Sequence, residues 1–430
     1  MSSCTLQPFP ILCLPAELRE QIYAAALLAP NSDINLLRVC RQIYTESYPL
    51  LFKRPLTFSS QSSLARWLGL VQRQHLHHVS AITLHLQDID LTPLLTLSPL
   101  PGILCWELYE QELEGITLAF QQLPGLRNLT IARSKPHQLQ SYLYREFLRA
   151  FCGLLAHCSP KISHLTLHED IQHFSFLHSL QHLRSIRLVG FGDQHTAHAF
   201  TALAHLSSLT EVELVTEDVS HASRPYGQRH LLNSDEKALA AALATFPPLT
   251  AFSVREASAS LSVLTPSLLT ALADAHGASL RSLRMCVVST PSFPTLARLN
   301  GLLRAEACGV ESLELCWPDV EAEILEGLLP RSLRRLRVRV EGCAHAFDLL
   351  WGVIQRRREF AQLESVGLVG SWAEWEEVDE ELDKEVDEEE GCEGFDAAKN
   401  ELDLAIGELR YMGVRTLKGA EEDVDCSGFQ

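Results

Sequence analysis

The sequence predicts an α/β fold in two parts: a small N-terminal helical module, then an irregular solenoid of alternating strands and helices. Three observations carry this. A short pattern (apolar, two residues, apolar, one residue, apolar) recurs ten times across residues 79–368. Segments of helical composition, such as residues 234–246, 266–276 and 344–360, separate the copies. Strand alternating with helix argues a parallel sheet with helices packed on it. Ahead of the array, two amphipathic stretches are split by Pro30-Asn31-Ser32-Asp33, a run that breaks helices. The 430 residues are 46% hydrophobic and 21% charged, the balance of a folded globular chain. No apolar run reaches the ~18 residues that a membrane span needs.

Residues 9–58 read as the helical module. Leu14-Pro15-Ala16-Glu17-Leu18 sets Pro where a helix starts and its missing N–H costs nothing. Glu17 in the first turn suits the positive helix end. Leu18, Ile22 and Ala25 or Ala26 then share one apolar stripe. A second stripe runs through Leu36, Val39, Cys40, Ile43 and Ser47. Pro49 ends it and opens a short third helix, and Leu56-Thr57-Phe58 leads out as a strand.

Leu14-Pro15-x-Glu17-Leu18 with Ile22, followed by Leu37-Arg38-Val39-Cys40-Arg41-Gln42-Ile43, resembles an F-box. It is closer still to the divergent F-box-like modules of many fungal proteins, matching over residues 14–23 and 36–52. The resemblance implies a helical module that docks a Skp-type adaptor subunit of a cullin ubiquitin ligase. It carries over Leu14, Pro15, Leu18, Ile22, Val39, Cys40 and Ile43 as docking candidates. The alternative for the same residues is that they bury the module's own small core. No Trp follows the Val39-Cys40 pair, where many F-boxes carry one.

Copies of the repeat begin at Val79, Leu126, Ile162, Leu183, Leu209, Leu249, Leu280, Val310, Leu333 and Leu363. The apolar positions two apart give a half-buried strand in each. The pattern resembles leucine-rich repeats, which also occur downstream of F-boxes. From Ile162 onward the spacings run from 21 to 40 residues, against ~20–29 for regular repeats of that family. The Asn or Cys of the family's turn is replaced, for example by Asp170, Phe191 and Val288. The expectation is therefore an irregular leucine-rich-repeat-like solenoid over 75–370, curved by its helices rather than by an Asn ladder.

The array stops at Leu368. Residues 374–396 hold fourteen acids and one Lys, a net charge of −13 out of −18 for the chain. Such a block self-repels, so 371–396 is expected to be an acidic disordered segment. Residues 397–412 read as a helix that caps the repeats, with Leu402, Ile406 and Leu409 on one face, and 413–430 as a tail. With residues 397–430 at −3, the body before residue 374 is left at −2, which gives no support to nucleic-acid binding.

Catalytic motifs are missing: no Gly-rich phosphate loop, no G-x-S-x-G and no H-E-x-x-H. The 12 Cys form no C-x-x-C pair and read as small buried hydrophobes of a reducing compartment. His75-Leu76-His77-His78 reads as a polar approach to the first repeat strand, because adjacent residues point apart. No metal, cofactor or catalytic residue is expected. Strand alternation instead exposes Arg335, Arg337 and Arg339 on one face, an anion-binding surface unless Glu314 pairs with it. The acidic run either folds over that face and competes with acidic partners or stays an unattached solvated segment. The function implied is a non-enzymatic adaptor that holds an unknown protein substrate on its repeats. The alternative is an interaction scaffold whose module no longer docks an adaptor. Without a positive n-region before Arg19, the expected compartment is cytoplasmic or nuclear, with no membrane partner.

Overall fold

Every copy of the repeat pattern lies on a β-strand in the computed structural model, with its last two apolar positions turned inward. The structure describes residues 11–28, 34–89, 102–133, 142–168, 174–189, 196–216, 233–256, 263–318, 320–341, 343–370 and 392–419. The chain divides into two units, residues 1–171 and 172–430. That boundary falls within the span 75–370 expected to form one array. Most of the expected acidic segment, residues 371–391, lies outside the described residues, as do residues 420–430. No helix among the described residues is long and apolar enough to cross a membrane.

The first unit opens with the helices α1 (Ala16–Leu28) and α2 (Arg41–Ser47), with a 3-10 helix at Ile34–Arg38 between them and another at Tyr48–Lys53 after α2. Tyr23, Leu27, Ile43 and Leu50 form their buried core, with Leu36, Leu37 and Cys40 packed around it. Then come β1 (Leu56–Phe58), α3 (Gln61–Leu70), α4 (Arg73–Leu76) and β2 (Ala81–Leu86). The sequence α5 (Gly102–Gln121), β3 (Asn128–Arg133), α6 (Tyr142–Cys158) and β4 (His164–Leu167) completes the unit. The strands are parallel neighbours in chain order. The short helix α3 is held by reciprocal capping: the Ser60 hydroxyl accepts from the Ser63 N–H, and the Ser63 hydroxyl meets the Ser60 N–H.

The second unit repeats one plan. Its strands are β5 (Ser185–Val189), β6 (Glu211–Val215), β7 (Ala251–Arg255), β8 (Ser282–Cys286), β9 (Ser312–Cys316), β10 (Arg335–Arg339) and β11 (Ser365–Val369). Between them lie α7 (Thr196–Ala204), α8 (Asn233–Leu243), α9 (Pro266–His276), α10 (Phe293–Arg304), α11 (Ala322–Leu328) and α12 (Cys343–Gln355). Adjacent strands pair in parallel. The first apolar position of each copy, such as Leu209, Leu249, Leu280 and Val310, is fully buried at the strand entrance.

A backbone ladder runs across the strand entrances of successive repeats. The carbonyl just before one strand accepts two N–H groups from the next repeat. Arg281 O takes Glu311 and Ser312 N–H at 2.8 and 2.9 Å, and Glu311 O takes Arg334 and Arg335 N–H at 2.8 and 2.9 Å. Thr210, Thr250 and Arg334 do the same, so turns of varied sequence keep the buried donors satisfied.

Two C-terminal expectations are corrected. The helix α13 begins at Cys392 rather than residue 397 and runs to Tyr411. In place of a tail from residue 413, β12 (Arg415–Gly419) pairs in parallel with β11. Its inward positions would be Thr416 and Lys418, opposite Val366 and Leu368, so the strand carries no apolar alternation to read. Gly413 at φ 79 makes the turn: Val414 N–H returns to Leu409 O at 2.9 Å across a left-handed residue that only glycine adopts cheaply.

Candidate functional site

In the helical module the stripe that faces the core is not the stripe of highest hydrophobicity. Tyr23 and Leu27 of α1 are fully buried, with Arg19 one turn earlier. Leu18 and Ile22, next to that stripe, are 45% and 40% exposed, and Val39 is 65% exposed. The reason is a polar latch. Arg19 Nε and a terminal nitrogen bind the two Glu46 oxygens at 2.9 and 2.6 Å, and Arg19 also donates to Leu14 O at 2.5 Å. The Tyr23 hydroxyl donates to Glu46 at 3.2 Å and Gln42 Nε2 at 3.0 Å. These donors, Arg19 first and Gln42 second, hold the Glu46 carboxyl down at about 2. The latch turns α1 so that its Arg19–Tyr23–Leu27 side meets α2.

The seven docking candidates therefore divide. Ile43, 2% exposed, belongs to the core. Cys40 caps α2, its sulfur accepting from the Ile43 N–H at 3.5 Å. Leu14 is half-buried, and Pro15 is exposed with its carbonyl opening α1. Leu18, Ile22 and Val39 are the apolar side chains left to the surface. Arg19 and Glu46 escaped the sequence reading, although both stand in the two blocks of the resemblance.

His75 has a packing explanation, whereas the His77 and His78 rings, expected to point apart, lie 3.8 Å from one another. The His75 ring stacks on Phe52 at 5.1 Å and meets the edge of Tyr48 at 5.0 Å. Phe52 also meets Trp67 of α3, so an aromatic cluster joins the module to the elements after it. Burial, with the nearby charge of His77 second, pushes the His78 ring below its ordinary value.

On the second unit, parallel register turns single residues into a row across the sheet. Arg187, Glu213, Ser253, Arg284, Glu314, Arg337 and Gly367 stand side by side. Arg187 pairs with Glu213 at 3.7 Å, and Arg284 with Glu314 at 2.7 Å. Glu314 thus answers Arg284 on β8, although Arg337 on β10 is equally opposite to it. The guanidinium groups of Arg335, Arg337 and Arg339 make no ion pair or hydrogen bond among the described residues. Arg335 is exposed and the other two are half-buried. Ser365 and Gly367 flank them on β11 and add no charge. The strand end is drier: Cys286 and Cys316 are buried and directly opposed on β8 and β9.

No protein-family model matches this chain. No curated protein matches it either. Among solved structures, a Bacteroides fragilis protein determined as a structural-genomics target is similar, with 11% identity and a TM-score of 0.28. The match covers 53% of this chain and spans 64% of that protein's length.

Proposed function

We propose that the chain is a non-enzymatic substrate-recognition adaptor of a Skp–cullin–F-box type ubiquitin ligase, working in the cytoplasm or nucleus. The N-terminal module would dock a Skp-type adaptor, and the leucine-rich-repeat-like region would hold a protein substrate through Arg335, Arg337 and Arg339. One observation supports this above others: Leu18, Ile22 and Val39 are exposed while the module's core is complete without them. Exposed apolar side chains on the motif blocks are what a protein contact buries. Three Arg that make no ion pair among the described residues favour an acidic segment of the substrate, because a guanidinium binds carboxylate through two parallel hydrogen bonds.

The test is co-purification with a Skp-type adaptor. Leu18→Asp with Ile22→Asp should abolish it while circular dichroism and protease resistance stay unchanged, since both side chains already face water. Absence of any adaptor complex with the wild-type chain would remove the ligase reading. It would favour the scaffold, in which the module only caps the first strands. The stacking of His75 on Phe52 and Tyr48 is the observation on that side.

A further inference from the structure

Cys286, Glu314 and Cys316 form a cluster that none of the readings above uses. Cys286 ends β8, Cys316 ends β9, and the register sets them directly opposite one another. Glu314 lies two residues before Cys316, on the same face of the strand. One sulfur from each Cys and one Glu314 oxygen all lie within 4.8 Å of one another, and all three residues are buried. Both cysteines are free thiols.

We propose that these three residues bind a thiophilic divalent cation of the zinc class, with the fourth position left to solvent or to a bound partner. The distances argue for it. Glu314 Oε1 is 3.9 Å from each sulfur. That is long for a hydrogen bond. It is within about 0.4 Å of the separation of about 3.5 Å between a sulfur and an oxygen sharing one tetrahedral zinc, given bonds of about 2.3 Å to sulfur and 2.0 Å to oxygen, so a bound ion would draw the three groups slightly together. The donor set of two thiolates and a carboxylate selects a borderline-soft ion over magnesium or calcium. Arg284 supplies the outer support: its Nε takes Glu314 Oε2 at 2.7 Å, which fixes the carboxylate and leaves Oε1 turned to the sulfurs. Two thiolates and one carboxylate carry three negative charges; a divalent cation and the Arg284 guanidinium offset them, and the buried Arg255 stands opposite Cys286 on β7.

A plain packing role is the competing account, since Val189 and Val215 hold the same strand position on β5 and β6. It accounts for the thiols, and the Arg284 pair accounts for Glu314 Oε2, but neither accounts for Oε1 turning to the two sulfurs.

The test uses the full-length chain, reduced and stripped of metal. Zinc titrated against a chromophoric chelator should show a tight equivalent that Cys286→Ser with Cys316→Ser removes. Cadmium should give thiolate charge-transfer absorbance in excess over that double variant. Glu314→Gln keeps both sulfurs and should weaken zinc by at least the roughly 10–100-fold typical of losing an outer-shell partner. Cys343→Ser, another buried thiol, should change nothing. A readout on the wild type covers the case in which the variants misfold: zinc should slow alkylation of Cys286 and Cys316 and leave Cys308 unaffected. Undiminished zinc binding by the double variant, or equal alkylation of both thiols with and without zinc, overturns the proposal.

Discussion

The helical module buries Tyr23, Leu27, Ile43 and Leu50 in a core of its own, whereas each repeat of the second unit buries three apolar positions on its strand and more on its helix. The module leaves Leu18, Ile22 and Val39 outside and uses the Arg19–Glu46 latch to orient α1. The repeats do the reverse: apolar residues go inside, and charge rows cover the other sheet face. So the informative surface differs between them. In the module it is the apolar residue that the core does not need, and in the repeats the charged or thiol group that the neighbouring strand does not neutralise.

The largest expected break of that contrast is Leu283→Asp, in a fully buried strand position. An unpaired buried charge costs several kcal/mol. In a stacked array the loss should spread to the neighbouring strands. Hydrogen exchange should lose protection at residues 251–255 and 312–316 as well as at 282–286, and loss confined to 282–286 would refute stacking. The matched change Leu18→Asp in the module should alter stability by no more than about 0.5 kcal/mol.

Ile43→Ala should follow, at about 2–5 kcal/mol for a buried aliphatic truncation. With four residues in that core, denaturation of residues 1–58 should shift while the second unit's transition stays in place.

Acid should separate the two regions more gently. His276 on α9 is buried and neutral, accepting from Leu249 N–H at 3.3 Å and donating to Leu243 O at 3.0 Å. Burial lowers its pKa below 6.5. Between the two values the unfolded chain holds a proton that the folded chain does not, so the second unit loses stability as pH falls below about 6.5. Glu46 is lowered from 4.5 to about 2. By the same sign, the module keeps its latch above pH 4.5 and loses it as pH falls toward 2. Tm against pH should show the first slope vanish in His276→Gln and the second in Glu46→Gln.

Arg337→Gln should have the smallest structural effect, within about 0.5 kcal/mol, because the Arg337 guanidinium makes no ion pair or hydrogen bond among the described residues. It should still remove binding of an acidic test peptide at low salt. Peptide binding that survives would take the Arg row out of the partner surface.

Strand positions were legible because alternation is local: Phe252 and Val254, or Leu313 and Leu315, mark an inward face whatever lies beside them. The helix α1 ends at Leu28, while the Pro30–Asp33 run expected to break it lies outside the described residues. β12 was not legible, because Thr416 and Lys418 stand where the pattern needs apolar residues, and pairing with β11 supplies what composition does not. For the docking residues, the sequence identified the two blocks but not which side of α1 faces inward. Leu18–Ile22 and Tyr23–Leu27 are both plausible helix stripes by spacing. The choice rests on Arg19 reaching Glu46, 27 residues away.

The Cys286–Glu314–Cys316 group lies at the far end of that scale. Residues 30 apart meet there only because β8 and β9 align Ser282 with Ser312, and a slip of one residue would turn the thiols to opposite faces. Sequence alone therefore determined where strands and helices form, since their periods are properties of consecutive residues. Tertiary structure alone decided which stripe is buried, which charge finds a partner and which thiols meet, since each depends on the register between segments far apart in the chain.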